Sequence, residues 1–275
     1  MSEERSRTRT LRIGSFEFSL RELAGSMGDF GTLLPLVIGY ISVCGMDPTG
    51  LLVMMGAANI ATGLIYRLPM PLEPMKVLAA LAISEAWSPE KVHAAAFAMG
   101  VVWLLLGAGG IMSRVARRTP ETVVRGIQLS LGALLALKGL QMMSEWWLLG
   151  LAAVTVVILL RDNSYAPAAL VLVGGGVLVM YVRGELQAVG GLAPSLPPLT
   201  SVNPRLLLPA LRDAGLAQIP LTATNAVIAT AALISEYWPD RRVTERQLSI
   251  NMGVMNLAAS FFGGMPMCHG AGGLA

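Results

Sequence analysis

Charged side chains are scarce in this sequence. They make up only 13% of its 275 residues, whereas a soluble domain carries about 25%. So few charges cannot cover the surface of a water-soluble globule of this size. Cysteine is scarce as well, since Cys44 and Cys268 are the two present and both lie in apolar stretches. Neither a disulfide framework nor a metal site is expected, and no cofactor is indicated.

Other absences reduce the number of function classes that fit this sequence. The formal net charge is only +3, and the basic residues form no stripe interleaved with aromatic side chains, which does not favour nucleic-acid binding. No catalytic dyad with suitable spacing is present, so an enzyme is not expected. No cleavable signal peptide is expected, because residues 1–15 are polar and Arg-rich.

Apolar residues are abundant and occur in long uninterrupted runs. Hydrophobic residues make up 54% of the chain, and the mean hydropathy is +0.63. A membrane-spanning helix needs about 17–25 such residues, so the runs predict an all-α polytopic membrane protein surrounded by lipid. The runs fall at 30–46, 49–66, 74–86, 92–112, 121–140, 145–160, 166–182, 218–236 and 247–263.

Basic residues are distributed unevenly between the segments that join these runs. If the N-terminus is cytoplasmic, the Arg-rich segments 5–12, 114–118 and 241–246 all fall on the cytoplasmic side. The opposite side then holds only isolated basic residues, as the positive-inside rule requires. We therefore expect residues 1–20 to form a cytoplasmic tail and the protein to lie in the plasma membrane.

Prolines and glycines divide the chain into two parts. Residues 184–215 are predicted to form an extracytoplasmic linker between seven spans at 21–183 and a second part at 216–275, which holds spans eight, nine and the beginning of ten. Each part places a broken segment after two full spans, MPLEPMKVLAA in the first and GGMPMCHGAGGLA in the second. Because the first part is predicted to contain an odd number of spans, the second part crosses the membrane in the opposite orientation. Inverted repeats with broken helices are typical of secondary transporters.

The broken segments are predicted to start helices inside the membrane. The first N–H groups of such a helix lack backbone partners and carry partial positive charge, so they can bind an oxyanion. In the first segment Pro74 is predicted at the first helical position, with Met75 and Lys76 beside it. Lys76 either adds a full positive charge to the site or only pairs with Glu73. Glu73 is either that partner or a proton-coupling carboxylate.

The second broken segment supplies the other half of the predicted site, at Cys268, His269, Gly270, Ala271 and Gly272. Glycines let an anion approach the backbone closely, although they also allow tight helix packing. The histidine could donate a hydrogen bond or carry a proton near neutral pH, or it could be a packing residue. The cysteine is included in the site, although packing is its simpler role.

Two further polar clusters lie in apolar surroundings. They are Ser26, Asp29 and Thr32 around the start of the first span, and Gln218, Thr222 and Asn225 in the eighth. Asp29 is predicted either to take part in binding and proton coupling or to be a buried ion-pair partner. The neutral side chains of the second cluster can bind an oxyanion without the cost of burying a fixed charge. Their alternative role is hydrogen bonding between helices.

The stretches ELAGSMGDFGTLLPL, PMPLEPMK, AQIPLTATNAVIA and MPMCHGAGGLA together resemble the molybdate transporter family related to the SulP sulfate permeases. The resemblance covers nearly the whole chain from about residue 20. It implies a seven-plus-seven inverted-repeat fold, shared with uracil and bicarbonate permeases, with the second repeat incomplete here. It also implies a substrate between the third and tenth spans, flanked by the first and eighth. The matching stretches are 71–76, 268–272, 26–32 and 218–225. The family commonly has Gln where Glu73 stands.

These observations predict a secondary active transporter that imports a tetrahedral oxyanion, with molybdate as the leading substrate. Coupling to protons would use Glu73, Asp29 or His269. The alternatives are sulfate, tungstate or another anion as substrate, and a passive anion channel of the same fold. A nucleobase permease is disfavoured, because such permeases usually carry acidic residues on the tenth half-helix. A homodimer is compatible with the sequence, which does not identify the oligomeric state.

Overall fold

A computed structural model describes residues 11–116 except 15, residues 146–160, 168–184 and 195–274, and single residues between 118 and 144. The span predicted at 121–140 lies outside the described residues apart from isolated positions. The chain forms two compact units, one of residues 1–28 and 132–194 and the other of residues 29–131 and 195–275.

The described elements are mostly helices. In chain order they are β1 (Leu11–Ile13), β2 (Phe16–Phe18), α1 (Leu20–Ser26), α2 (Phe30–Ser42), α3 (Pro48–Tyr66), β3 (Leu72–Pro74), α4 (Lys76–Ser84), α5 (Pro89–Ala108), α6 (Ile111–Ala116), α7 (Trp147–Leu159), α8 (Ala168–Val182), α9 (Pro204–Tyr237), α10 (Glu245–Phe261), β4 (Met267–His269) and a 3₁₀ turn at Gly272–Leu274. The all-α prediction is corrected by two antiparallel strand pairs, β1 with β2 and β3 with β4.

The first unit contains a hairpin and three described helices. β1 and β2 are joined at Gly14, whose φ of +61° is left-handed and suits glycine. Arg12 and Glu17 face each other across the hairpin and form an ion pair at 2.5 Å. The expected cytoplasmic tail thus contains ordered structure. No residue of α7 is buried, and an apolar helix of this kind is suited to contact with lipid.

The second unit is built around a close contact between α5 and α10. Gly100 and Gly107 on α5 and Gly253 on α10 face the opposite helix. A Cβ at Gly100 would lie 2.9 Å from the backbone nitrogen of Leu257, and one at Gly253 would lie 2.8 Å from that of Leu104. Small residues allow helix backbones to approach closely where no side chain fits between them. This contact forms much of the packed interior of the unit.

Helix α9 is 34 residues long and contains Pro209 and Pro220 within it. Wider turns follow these prolines, over Leu211–Gly215 and Thr222–Ala229, where the helical hydrogen bonds skip to the fifth residue. Proline removes a backbone donor and crowds the preceding turn, and a wider turn accommodates the disruption. The helix therefore remains continuous through both prolines.

The start of α9 corrects the predicted linker at 184–215. Pro204 occupies the first helical position, and the side chain of Asn203 accepts a hydrogen bond from the Arg205 amide at 3.0 Å. Both features favour the start of a helix. The span predicted at 218–236 therefore begins earlier, at Pro204, and the prolines that indicated a linker belong in part to the helix.

Three described helices are long and apolar enough to cross a membrane, namely α3, α5 and α9. Shorter apolar helices lie at Thr32–Ser42, Trp147–Leu159 and Leu170–Val182. The predicted third span is short, as expected, because α4 contains only nine residues.

Candidate functional site

Two segments far apart in the sequence lie side by side in the second unit. β3 and β4 form an antiparallel ladder with the pairs Leu72–His269, Glu73–Cys268 and Pro74–Met267. Further backbone bonds extend the ladder at its ends, from the Met75 amide to the Pro266 carbonyl at 3.0 Å and from the Gly270 amide to the Pro71 carbonyl at 3.3 Å. The two predicted broken segments are thus in contact, but they meet as strands and not as two facing helix starts.

Pro74 lies in β3 and not in the helix. α4 begins at Lys76 with Met75 before it, so the prediction that Pro74 is the first helical residue is wrong. The bonds at the ladder ends make Glu73 and Cys268 the hydrogen-bonded pair of the ladder. The nitrogen of Pro74 consequently points away from β4, and its missing N–H removes no ladder bond.

Asn256 of α10 fixes β4 in position. Its Oδ1 accepts a hydrogen bond from the Met267 amide at 2.7 Å, and its Nδ2 donates to the Met267 carbonyl at 2.7 Å and to the Met252 carbonyl at 2.8 Å. Asn256 is fully buried. The sequence analysis missed this residue. The only available signal was an amide in an apolar helix just before a break, and that signal does not identify its partner.

The first turn of α4 is capped by a side chain from α9. Oε1 of Gln218 accepts hydrogen bonds from the amides of Val77 at 2.9 Å and Leu78 at 3.1 Å. Nε2 of Gln218 in turn donates to Oγ1 of Thr222 at 2.8 Å. The prediction of unpartnered amides at this helix start is therefore wrong for these two groups, because a neutral amide oxygen already occupies them.

Three charged side chains lie together beside this helix start. Glu73 is buried and forms an ion pair with Lys76. Its carboxylate fills the space that a Cβ at residue 270 would need, so a larger residue in place of Gly270 would force the Glu73 side chain to move. Asp29, the residue before α2, approaches the backbone of Gly273 in the same way, and it lies close enough to interact electrostatically with both members of the pair.

A small cavity opens between the strands, α4 and α9. It is lined by Glu73, Lys76, Gln218, Leu221, Thr222, Asn225, Ala226, Cys268 and His269. His269 is fully buried, and neither of its ring nitrogens has a hydrogen-bond partner among the described residues. Its ring meets that of Tyr66 edge-on, with the ring centres 6.3 Å apart. The cavity wall therefore combines the Lys76–Glu73 ion pair with neutral polar side chains and a few apolar ones.

Other residues of the predicted site lie elsewhere or contribute only backbone. Ser26 belongs to the first unit, where it is exposed and its hydroxyl donates to the Leu23 carbonyl at 2.7 Å. The hydroxyl of Thr32 lies 3.2 Å from the carbonyl oxygen of Asp29 and donates to it. The remaining predicted residues lie in the strands and turns beside the cavity: Pro74, Met75, Gly270, Ala271 and Gly272.

The fold is shared with a known transporter domain. The transmembrane domain of a cyanobacterium bicarbonate transporter, BicA, superimposes with a TM-score of 0.60 and 16% sequence identity, over 97% of this chain and 78% of that chain. A likeness at this identity establishes the fold. Together with the long apolar helices, it defines an integral membrane protein with the architecture of a transporter domain.

Sequence comparison identifies the family. The model of the family described as "Molybdate transporter of MFS superfamily" matches residues 21–135 and 210–275, which include both broken segments. Two Arabidopsis thaliana proteins, molybdate transporter 2 and molybdate transporter 1, are 32% and 29% identical to it over 92% and 94% of this chain. Molybdate transporter 1 of Chlamydomonas reinhardtii is 28% identical over 92% of this chain.

The chain spans 66%, 68% and 72% of the lengths of these three relatives. It belongs to the molybdate transporter family, as the four motifs indicated. The relatives are transporters, which confirms the expectation that the protein is not an enzyme.

Proposed function

We propose that this chain holds the substrate site of a secondary active transporter that imports molybdate. The observation that carries the proposal is the cavity in which Lys76, Thr222 and Asn225 converge beside the β3–β4 ladder. Thr222 accepts a hydrogen bond from Gln218, so its own hydroxyl hydrogen can donate. An ammonium group and neutral donors suit a tetrahedral dianion, because all four of its oxygens accept hydrogen bonds.

The relatives support molybdate over other anions of the same shape. Each of the three is named as a molybdate transporter. Sulfate and tungstate remain the closest alternatives, because they have the same charge and tetrahedral form. A passive anion channel of the same fold is the alternative mechanism, and the titratable groups at the cavity favour the coupled transporter.

The arrangement of the broken segments supports the seven-plus-seven inverted repeat. β3 follows α3, and β4 follows α10, so the two strands occupy matching places in the two halves of the chain. They pair antiparallel, which is the relation expected for equivalent segments around a twofold axis in the membrane plane. We infer that the site lies on this axis. The distribution of basic residues supports a cytoplasmic N-terminus, and we propose that the protein lies in the plasma membrane.

The charges at the cavity support coupling to protons. Asp29 and Glu73 bring two negative charges and Lys76 one positive charge, so the cluster carries a net charge of −1 when all three are ionised (−2 + 1). A dianion that enters is repelled by this excess negative charge. Protonation of one carboxylate removes the excess, so a proton is expected to enter together with the anion.

The first test is anion binding to purified protein in lipid nanodiscs, measured by calorimetry with molybdate, tungstate and sulfate in competition. We expect Lys76→Ala to weaken molybdate binding about tenfold or more, ~1.4 kcal/mol, because it removes the only ammonium group among the cavity-lining residues. Arg242→Ala, at an exposed basic residue outside the cavity, is the control and should bind as the native protein does.

Lys76→Ala also leaves a buried carboxylate unpaired, so a second variant is needed. Lys76→Ala combined with Glu73→Gln removes both charges and should still bind weakly. Native affinity in a folded Lys76 variant would exclude Lys76 from the site. If the native protein binds sulfate more tightly than molybdate, sulfate replaces molybdate as the proposed substrate.

A further inference from the structure

Gln218 occupies the position that an anion oxygen would need at the start of α4. Its Oε1 lies 2.9 Å from the Val77 nitrogen and 3.1 Å from the Leu78 nitrogen. Amides at the N-terminus of a helix bind oxyanions through the same geometry. One oxygen atom can occupy this position at a time, so Gln218 and an anion compete for it.

The buried side chain of Gln218 makes one further hydrogen bond. Its Nε2 donates to the Thr222 hydroxyl, which lies one turn further along the same helix. All three hydrogen bonds of the carboxamide are neutral, and each contributes a modest net stability, about 0.5–1.5 kcal/mol. Rotation of the side chain about its own torsions would break these hydrogen bonds and free both amides of α4.

Other polar groups in the same cavity lack partners. His269 is fully buried, and both of its ring nitrogens are without a hydrogen bond among the described residues. A buried polar group without a partner is costly, and a ligand in the cavity would supply one. The side chain of Asn225 lines the cavity as well. These groups indicate that the cavity is completed by a hydrogen-bonding ligand.

We propose that Gln218 is an internal competitor of the substrate, whose amide oxygen holds the place of an anion oxygen in the empty site and sets the affinity. This assignment rests on the proposed function. It differs from a role as a direct substrate ligand in the sign of its effect, because removal of a competitor strengthens binding whereas removal of a ligand weakens it.

The competition also contributes to selectivity. Hydrogen bonds to a charged acceptor are roughly twice as strong as those to a neutral one. An anion oxygen can therefore replace the amide oxygen of Gln218 on the Val77 and Leu78 amides, whereas a neutral carbonyl compound gains nothing by the exchange. The site thus discriminates by charge before it discriminates by shape.

The test compares three substitutions of Gln218 in the nanodisc-embedded chain, with molybdate binding measured by calorimetry. Gln218→Ala removes the competing oxygen, and Gln218→Met does so with little change in volume. Both should bind molybdate about tenfold more tightly. Gln218→Glu places a fixed carboxylate on the same amides and should abolish binding without lowering the melting temperature.

Thr224→Val is the matched control on the same helix, because the Thr224 hydroxyl bonds only to backbone carbonyls of its own helix and should leave the affinity unchanged. Weaker binding by folded Gln218→Ala and Gln218→Met proteins, with native binding intact, would overturn the competition and leave the proposed function standing. If the native protein and the variants all fail to bind any oxyanion, the proposed function fails and this assignment fails with it.

Discussion

The neutral side chains of Asn256 and Gln218 provide hydrogen-bond partners for backbone groups that lack a backbone partner. Asn256 bonds to both backbone polar groups of Met267, and Gln218 accepts from two amides at the start of α4. In an apolar protein, irregular backbone is tolerated only where such partners are supplied. Buried amide side chains therefore allow the chain to break its helices beside the cavity.

The substitution Asn256→Leu tests whether a buried amide side chain stabilises the irregular backbone at Met267. The substitution leaves the buried N–H and C=O of Met267 without partners, and each unsatisfied group costs about 1–3 kcal/mol. We expect a fall in the free energy of unfolding of roughly 2–6 kcal/mol, measured by thermal or denaturant unfolding in detergent.

Asn59→Leu is the matched control for this substitution. The half-buried Asn59 side chain donates to the carbonyl of Met55 in its own helix, and this carbonyl also belongs to the helical backbone. Its loss should change the stability by less than about 1 kcal/mol. An equal loss in the two variants would show that the contact with β4 has no special weight.

The sequence marks the charged residues of the site better than the neutral ones. Lys76, Glu73 and His269 are titratable groups in the two broken apolar segments, and this made them candidates. Gln218 was also a candidate, but its contact with Val77 depends on a partner 141 positions away. The function of an amide side chain follows from its partner, and composition does not reveal long-range partners.

At the scale of elements, the breaks in the helices were predictable but their pairing was not. The prolines around residues 71–74 and 266 indicate where helix is impossible, and they were interpreted as two helix starts. Strands of three residues give no periodicity to detect. Their antiparallel ladder becomes evident only when both segments are placed in space.

The prolines at the start of α9 were misinterpreted for a related reason. Pro204 starts the helix, and Pro209 lies inside it, whereas a cluster of prolines indicates a loop when it is considered without its surroundings. By contrast, the predicted spans at 49–66 and 92–112 agree with α3 and α5 to within a few residues. Long apolar runs are strong signals because every residue in them contributes.

The glycine contact between α5 and α10 leads to a prediction for a whole element. Gly253→Ala would place a Cβ 2.8 Å from the backbone nitrogen of Leu104, so the helices must separate. Overpacking of this kind costs about 1–3 kcal/mol, which we expect as a loss of unfolding free energy in detergent.

Gly56→Ala on α3 is the control for Gly253→Ala, because nothing lies within 4 Å of its added Cβ. It should leave the stability unchanged or raise it, since alanine favours helix over glycine. Equal destabilisation by the two substitutions would mean that the close approach of α5 and α10 does not matter for stability.

At the scale of the whole molecule, the proposed coupling of anion and proton depends on the net charge of the cluster formed by Asp29, Glu73 and Lys76. With Asp29, Glu73 and Lys76 all ionised, the cluster opposes a dianion, and protonation of a carboxylate relieves this. Molybdate binding should therefore strengthen as the pH falls through the range in which a carboxylate of the cluster becomes protonated.

The corresponding measurement is molybdate uptake into proteoliposomes. We expect an inward proton gradient to drive accumulation and a protonophore to abolish it. Glu73→Gln, which removes a carboxylate from the cluster, should make uptake less sensitive to the gradient while binding is retained. Glu236→Gln, at an exposed carboxylate, should behave as the native protein does. Accumulation that persists in the native protein after the gradient collapses would exclude proton coupling.

The attachment of β4 to Asn256 has a mechanical consequence. Asn256 belongs to α10, and α10 lies directly against the backbone of α5 at three glycines. Strand β4, which carries His269, is therefore attached to the packed pair of helices α5 and α10. We expect a displacement of the strand to move both helices with it. If the proposed transporter opens its cavity to each side of the membrane in turn, we expect β4, α5 and α10 to move together as one rigid body.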